Sequence, residues 1–236
     1  MDELDRTSAP SLADEQQQLT RTRIRSAAME VVARIGFDAT VDEIAQLSGV
    51  SPRTIFRHYQ SHDRLIANTV KDMFEACGLP LLFEDRDYTD DLIEGVPRLV
   101  DDLDGAIKGM AVAFHTRSAE IFGAAFWDIH SPRHRASEVL SEVAALRREY
   151  RLRGSYLLNL VWETAGGVGE PPEPLALAFA LDFSAFTTQS LMVHFDQTPA
   201  QIGALTADIF TKLLRRAVEA QRSGEAVPAG SDGVED

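Results

Sequence analysis

Three side chains within five positions, Arg53, Thr54 and Arg57, have the chemistry to read the edge of a nucleobase. A guanidinium is a planar fork whose two parallel N–H groups match O6 and N7 of guanine, and a threonine hydroxyl serves a base edge or a phosphate. They work together only if a rigid element holds them on one face. The preceding residues supply such an element. Ser51 and Pro52 read as the N-cap and first residue of a helix, because proline lacks only an amide that would stay unpaired there. On that helix Ile55 and Tyr59 share one face and turn Arg53, Thr54 and Arg57 the other way.

Residues 41–59 as a whole fit two helices joined by a tight turn. Thr40-Val-Asp-Glu43 reads as a capping box opening a short helix through Ile44, Ala45 and Leu47. Ala45 is small where the helices would cross, Gly49 can take the positive φ of the turn, and Ile44, Val50 and Ile55 would pin the pair together. In a helix-turn-helix the second helix enters the major groove. An ordinary helical hairpin with a solvated basic face would show the same pattern. Ahead of it, Ile24, Ala27, Ala28, Val31, Val32 and Ile35 fall at helical spacing from Thr20, stopped by Gly36. Behind it, Ser61 opens a fourth helix running to about Cys77.

Charge sets this stretch apart. The 236 residues carry a net charge of −14. Residues 20–71 hold eight basic and five acidic side chains, a balance of +3, so the remainder stands at −17. One segment is suited to approach a polyanion and the rest is not. The length allows one or two domains. A single cysteine, Cys77, excludes an intrachain disulfide framework and an all-cysteine zinc site. No apolar run approaches the ~20 residues of a membrane helix, and the opening MDELDRTSAP is unlike a signal peptide, so residence in the cytoplasm is expected. Enzyme signatures are missing: no Gly-x-Ser-x-Gly elbow, no phosphate-cradling glycine loop, no His-Glu-x-x-His. His130 and His134 are four apart, but Ser131-Pro132 between them breaks a helical metal face. Neither a metal nor a cofactor is expected.

Along the chain, residues 1–19 read as a disordered arm, 20–70 as a helix-turn-helix domain, 71–222 as a larger helical domain and 223–236 as a flexible tail. Gly78-Leu-Pro80 and the acidic residues 84–91 mark a boundary or loop. Helical periodicity resumes near Ile93 and over 106–129, 136–151 and 154–163. Three glycines and three prolines make 164–174 a loop. Two long helices follow, 175–195 and 199–222, the second opened by Thr198-Pro199. No alternating apolar strand is present; the chain reads as all-α.

Residues Arg23-Ile-Arg-Ser-Ala-Ala-Met-Glu-Val-Val-Ala-Arg-Ile-Gly-Phe-Asp-Ala-Thr-Val-Asp-Glu-Ile-Ala45 and Ser48-Gly-Val-Ser-Pro-Arg-Thr-Ile-Phe-Arg-His-Tyr-Gln-Ser-His-Asp-Arg-Leu65 resemble the TetR family of bacterial transcriptional regulators. The resemblance covers about residues 20–70. It implies an all-α homodimer of nine to ten helices, with a three-helix DNA-binding head and a larger domain for a small effector and for dimerisation. Most such proteins are repressors released from a palindromic operator by their ligand. Position by position, Arg53, Thr54 and Arg57 match the base-reading face, and Thr40, Ser51, His58 and His62 match phosphate or register contacts. Arg23, Pro52 and Phe56 complete the DNA-binding set. Two residues depart from the pattern. Phe56 replaces a common tyrosine and removes a phenolic phosphate contact, and His62 replaces a usual lysine, leaving a weak and pH-dependent anchor. Arg21, Arg23 and Arg25 are placed to compensate.

For the second domain the residues say less. Phe114, Phe122, Phe126, Trp127, Tyr156 and Trp162 are candidates to line an effector pocket, with His115, Arg117 and Glu163 as the nearby polar groups, which suggests a largely apolar small molecule. Helix 175–195 is apolar nearly all round and 199–222 carries a wide apolar stripe. Phe179, Phe183, Phe186, Ile202, Leu205, Ile209 and Leu213 are therefore candidates for a four-helix interface with a second copy, an intrachain core being the other reading. Three further readings stay open: an activator, a regulator without ligand, and a ligand-binding or structural protein whose helix-turn-helix no longer binds DNA.

Overall fold

The structure, a computed structural model, describes residues 11–77, 97–130 and 137–224. Its regular elements there are helices: α1 (Leu12–Ile35), a 3-10 turn (Gly36–Asp38), α2 (Val41–Ser48), α3 (Pro52–Tyr59), α4 (His62–Cys77) and α5 (Leu103–Phe122). There follow α6 (Ala125–His130), α7 (Ser137–Thr164), α8 (Glu173–Asp182), α9 (Ala185–Phe195) and α10 (Pro199–Ser223). No strand occurs among the described residues, so the all-α expectation holds. Residues 1–10, the 78–80 and 84–91 boundary, the helix near Ile93, His134 and the tail beyond 224 lie outside the described residues.

The chain divides into two compact units, Met1–Asp72 with Ala124–Ser141, and Met73–Gly123 with Glu142–Asp236. In the first, Ile24, Ala27, Ala28, Val31 and Val32 line the buried face of α1, at the spacing that puts successive side chains over one another. The first unit also takes α6. Ala124 donates its backbone N–H to the Ala33 carbonyl at 2.7 Å, and Asp128 accepts the Phe37 N–H at 2.8 Å.

In the second unit Ile107, Met110, Leu157, Val161, Trp162, Phe179, Phe210 and Leu214 belong to one buried cluster drawn from α5, α7, α8 and α10. At Gly203 on α10 the two backbones come close: a Cβ there would stand 2.5 Å from the Val112 Cα of α5. Thr198 caps α10 with a full capping box and Pro199 follows at its first turn, as the sequence indicates.

Four stretches differ from the sequence reading. Residues 12–19 of the expected arm are helical, because Ser11 and Asp14 form a capping box that starts α1 well ahead of Thr20. The stretch 106–129 is two helices, broken at Gly123, which takes a φ of +44°. Conversely, 136–151 and 154–163 are one helix, α7: a lone glycine costs a helix only about 1 kcal/mol, and Gly154 sits beside the Phe179 ring. Finally, 175–195 is not one helix. It breaks after Asp182, Ser184 caps a new start by accepting the Phe186 N–H, and α8 and α9 meet at 60°. Among the described residues no single helix is long and apolar enough to cross a membrane.

Candidate nucleic-acid interface

The local chemistry of residues 40–62 builds the helix-turn-helix from its caps. Thr40 Oγ1 accepts the Glu43 N–H at 3.3 Å, and Glu43 Oε2 accepts the Thr40 N–H at 2.9 Å. The Thr40 hydroxyl also donates to Glu43 Oε2 at 2.7 Å, and this bond, with that from the Thr40 N–H, holds the Glu43 carboxyl below its ordinary pKa. Gly49 closes α2 in the left-handed region, at φ +64°, where a side chain would be strained. Ser51 caps α3 through the Thr54 N–H, with Pro52 in the first turn.

Ile44, Val50 and Ile55 are buried together with the α1 face. That burial fixes the rotation of α3. Arg53, Phe56 and Arg57 consequently lie exposed, and Thr54 and His58 are half-buried. Thr54 Oγ1 is 3.0 Å from Ser51 Oγ, which ties its hydroxyl to the cap. Burial, followed by the charges of Arg21 and Arg57, lowers the His58 pKa.

Two residues of the expected DNA-binding set, Arg23 and His62, make intrachain contacts that the sequence does not reveal. Arg23 Nη2 donates to the Ser48 carbonyl at 2.7 Å, stapling α1 to the last turn of α2. His62 Nε2 donates to the Ala39 carbonyl at 2.7 Å, and its Nδ1 lies 3.6 Å from Asp63 Oδ1. One face of that ring thus holds the start of α4 to the residue before the capping box. No spacing rule in the sequence reports either contact.

The effector candidates are distributed between core and surface. Phe114, Phe122, Phe126 and Trp162 are buried, while Trp127 and Tyr156 are exposed. Phe126 and Trp127 belong to the unit that holds the helix-turn-helix, and the other four to the second unit. Phe74 packs edge-on against Phe122 and Phe114 against Phe183, both in the second unit. Arg117 is half-buried and Glu163 exposed.

His115 has a different setting. It is fully buried, with Nδ1 2.7 Å from Thr188 Oγ1, Nε2 3.3 Å from Thr206 Oγ1 and 3.7 Å from Asp182 Oδ1. Asp182 is 4% exposed and neither carboxylate oxygen has a hydrogen-bond partner. Asp182, Thr188 and Thr206 were not among the sequence candidates, since nothing local distinguishes them from other polar residues.

Of the dimer candidates, Phe179 and Ile202 are buried within the chain. Phe179 packs against the Phe183 ring and edge-on against Phe210, and Phe179 and Ile202 both face the chain's own interior. Phe186, Leu205, Ile209 and Leu213 are exposed and Phe183 half-buried.

Together, an all-helical fold and an N-terminal helix-turn-helix whose second helix turns Arg53 and Arg57 outward define the architecture of a DNA-binding transcriptional regulator. Residues 24–69 match the model of the bacterial regulatory proteins of the tetR family. No curated protein matches the chain in sequence. Among solved structures, the fold is similar to that of a tetR-family regulatory protein from Rhodococcus RHA1, with 20% identity over 84% of this chain and 96% of that one and a TM-score of 0.51. A putative transcriptional regulator from Pseudomonas aeruginosa PAO1 shares 20% identity over 94% and 99% of the two chains, with a TM-score of 0.55. The regulator FadR from Bacillus subtilis, solved with stearoyl-CoA, shares 16% identity over 84% and 98%, also with a TM-score of 0.55. The chain thus carries the TetR-family head on a TetR-like fold.

Proposed function

We propose that this chain is a sequence-specific repressor that binds a palindromic operator in the cytoplasm as a homodimer and leaves it when a small effector binds the second unit. One observation carries the reading. Ile55 anchors α3 so that Arg53 and Arg57 point outward, one turn apart, on a capped helix. Two such helices in a dimer would meet successive major grooves about 34 Å apart. Phe186, Leu205, Ile209 and Leu213 supply an exposed apolar face for the second copy. The effector reading draws support from the buried His115–Asp182 group and from the neighbour solved with stearoyl-CoA. An effector shifts the equilibrium only by its difference in affinity for the two states.

The second ring contact of His62 favours a competing reading, a head too weak to hold DNA. Selection of genomic fragments by the full-length protein separates the two. Our reading expects recovered fragments to share an inverted repeat with half-site centres about 10 base pairs, or a multiple of that, apart. Fragments with no common sequence would overturn it.

A further inference from the structure

Helix α1, the end of α3 and one face of α4 line a polar cleft of about 400 Å³. Its charge is lopsided. Arg21, Arg25 and Arg64 line it against one carboxylate, Asp72, and Asp72 is paired with Arg25 at 3.0 Å. Arg21 is exposed and forms no ion pair among the described residues. Gln18, Gln60 and Asn68 add neutral amides to the wall, and Arg64 is held by the Gln60 side chain. His58, on the same wall, has its pKa lowered by burial first and then by the charges of Arg21 and Arg57.

We propose that this cleft seats a phosphate group, through Arg21 of α1 and Arg64 of α4, at a position separate from the outward face of Arg53 and Arg57. A planar carboxylate is satisfied by a single guanidinium fork, whereas a tetrahedral phosphate presents several oxygens to donors arriving from different helices. The phosphate has two sources of identical chemistry: the backbone of bound DNA, in which case the seat rests on the function proposed above, or a free phosphorylated molecule.

The test uses full-length wild type, Arg21→Ala, Arg21→Lys, Arg64→Ala and, as a control on α10, Arg216→Ala. Each is titrated with a 30-base-pair duplex at several salt concentrations and, separately, with inorganic phosphate. Melting curves establish that each variant is folded. If the backbone is the source, Arg21→Ala and Arg64→Ala each weaken duplex binding and lower the slope of log K against log salt by about 0.9. Arg21→Lys retains most of that slope, and Arg216→Ala leaves it unchanged. If a free molecule is the source, wild type binds inorganic phosphate, Arg21→Ala weakens it about tenfold or more, and the salt slope for DNA stays put. Failure of wild type to bind any duplex would sink the proposed function while the phosphate arm still judged the seat. Variants indistinguishable from wild type in both titrations would overturn the seat.

Discussion

Asp128, on the short helix α6, accepts the backbone N–H of Phe37 at 2.8 Å across 91 residues of chain. The bond secures the turn that leads from α1 into the helix-turn-helix. Gly36 beside it leaves the carboxylate its place, since a Cβ there would lie 2.2 Å from Asp128 Oδ2. Removing the acceptor leaves a partly buried amide unpaired, a loss of about 1–3 kcal/mol. Asp128→Ala should therefore lower the melting temperature by several degrees, and Asp128→Asn, whose amide oxygen still accepts, by clearly less. Equal melting of the two variants would show that the bond does not hold the turn.

At Gly203 the α10 backbone lies against the backbone of α5, with a notional Cβ 2.6 Å from Val112 N. Backbone cannot swing aside as a side chain can. Gly203→Ala is expected to destabilise the protein by about 1–3 kcal/mol through overpacking, against the usual gain from replacing a helical glycine by alanine. Chemical denaturation gives the sign directly, and a stabilised variant would refute the close crossing.

Leu205 and Ile209 of α10 are exposed members of the proposed dimer face. Burying an aliphatic side chain is worth about 2 kcal/mol. Leu205→Glu or Ile209→Glu should thus raise the dimer dissociation constant at least about 30-fold. Light scattering across a concentration series reads this change. A wild type that is monomeric throughout would remove the face from the account.

Cys77 is buried at the end of α4, and desolvation pushes its pKa up to about 12. The thiolate is the reactive form. The native protein at pH 8 is expected to leave a chromogenic disulfide reagent unreacted for as long as it stays folded, and to react with one equivalent in denaturant. Fast labelling of folded protein would contradict this burial.

The parts of the fold that are local in the chain were legible in its sequence. Thr40 with Glu43, Ser51 with Pro52, and Thr198 with Pro199 each decide a helix start within four residues, and the structure shows all three caps. Gly49 was legible for the same reason. The Ser11–Asp14 box obeys the same rule, and was hidden by the polar composition around it. The break after Asp182 has no glycine or proline to announce it; Asp182 is buried beside His115, a partner 67 positions away. Arg23 on Ser48 and Asp128 on Phe37 are likewise long-range hydrogen bonds of otherwise ordinary polar residues. An apolar stripe tells which residues avoid water, not whether the chain itself or a second copy covers them. Ile202 is interior, and Leu205 and Ile209 exposed, because the crossing at Gly203 sets the rotation of α10, while Phe179 of α8 is interior against Phe210.

The central claim is that the outward arginines of α3 read DNA sequence. The direct measurement is fluorescence anisotropy of a genomic fragment selected by the wild type, titrated with wild type and with the Arg53→Ala/Arg57→Ala double variant. A scrambled duplex serves as reference. Each lost bidentate contact costs about 1–3 kcal/mol of discrimination. The account predicts that the double variant binds the selected fragment no better than wild type binds the scrambled duplex, while its melting temperature is unchanged. A double variant that still prefers the selected fragment as strongly as wild type would contradict it.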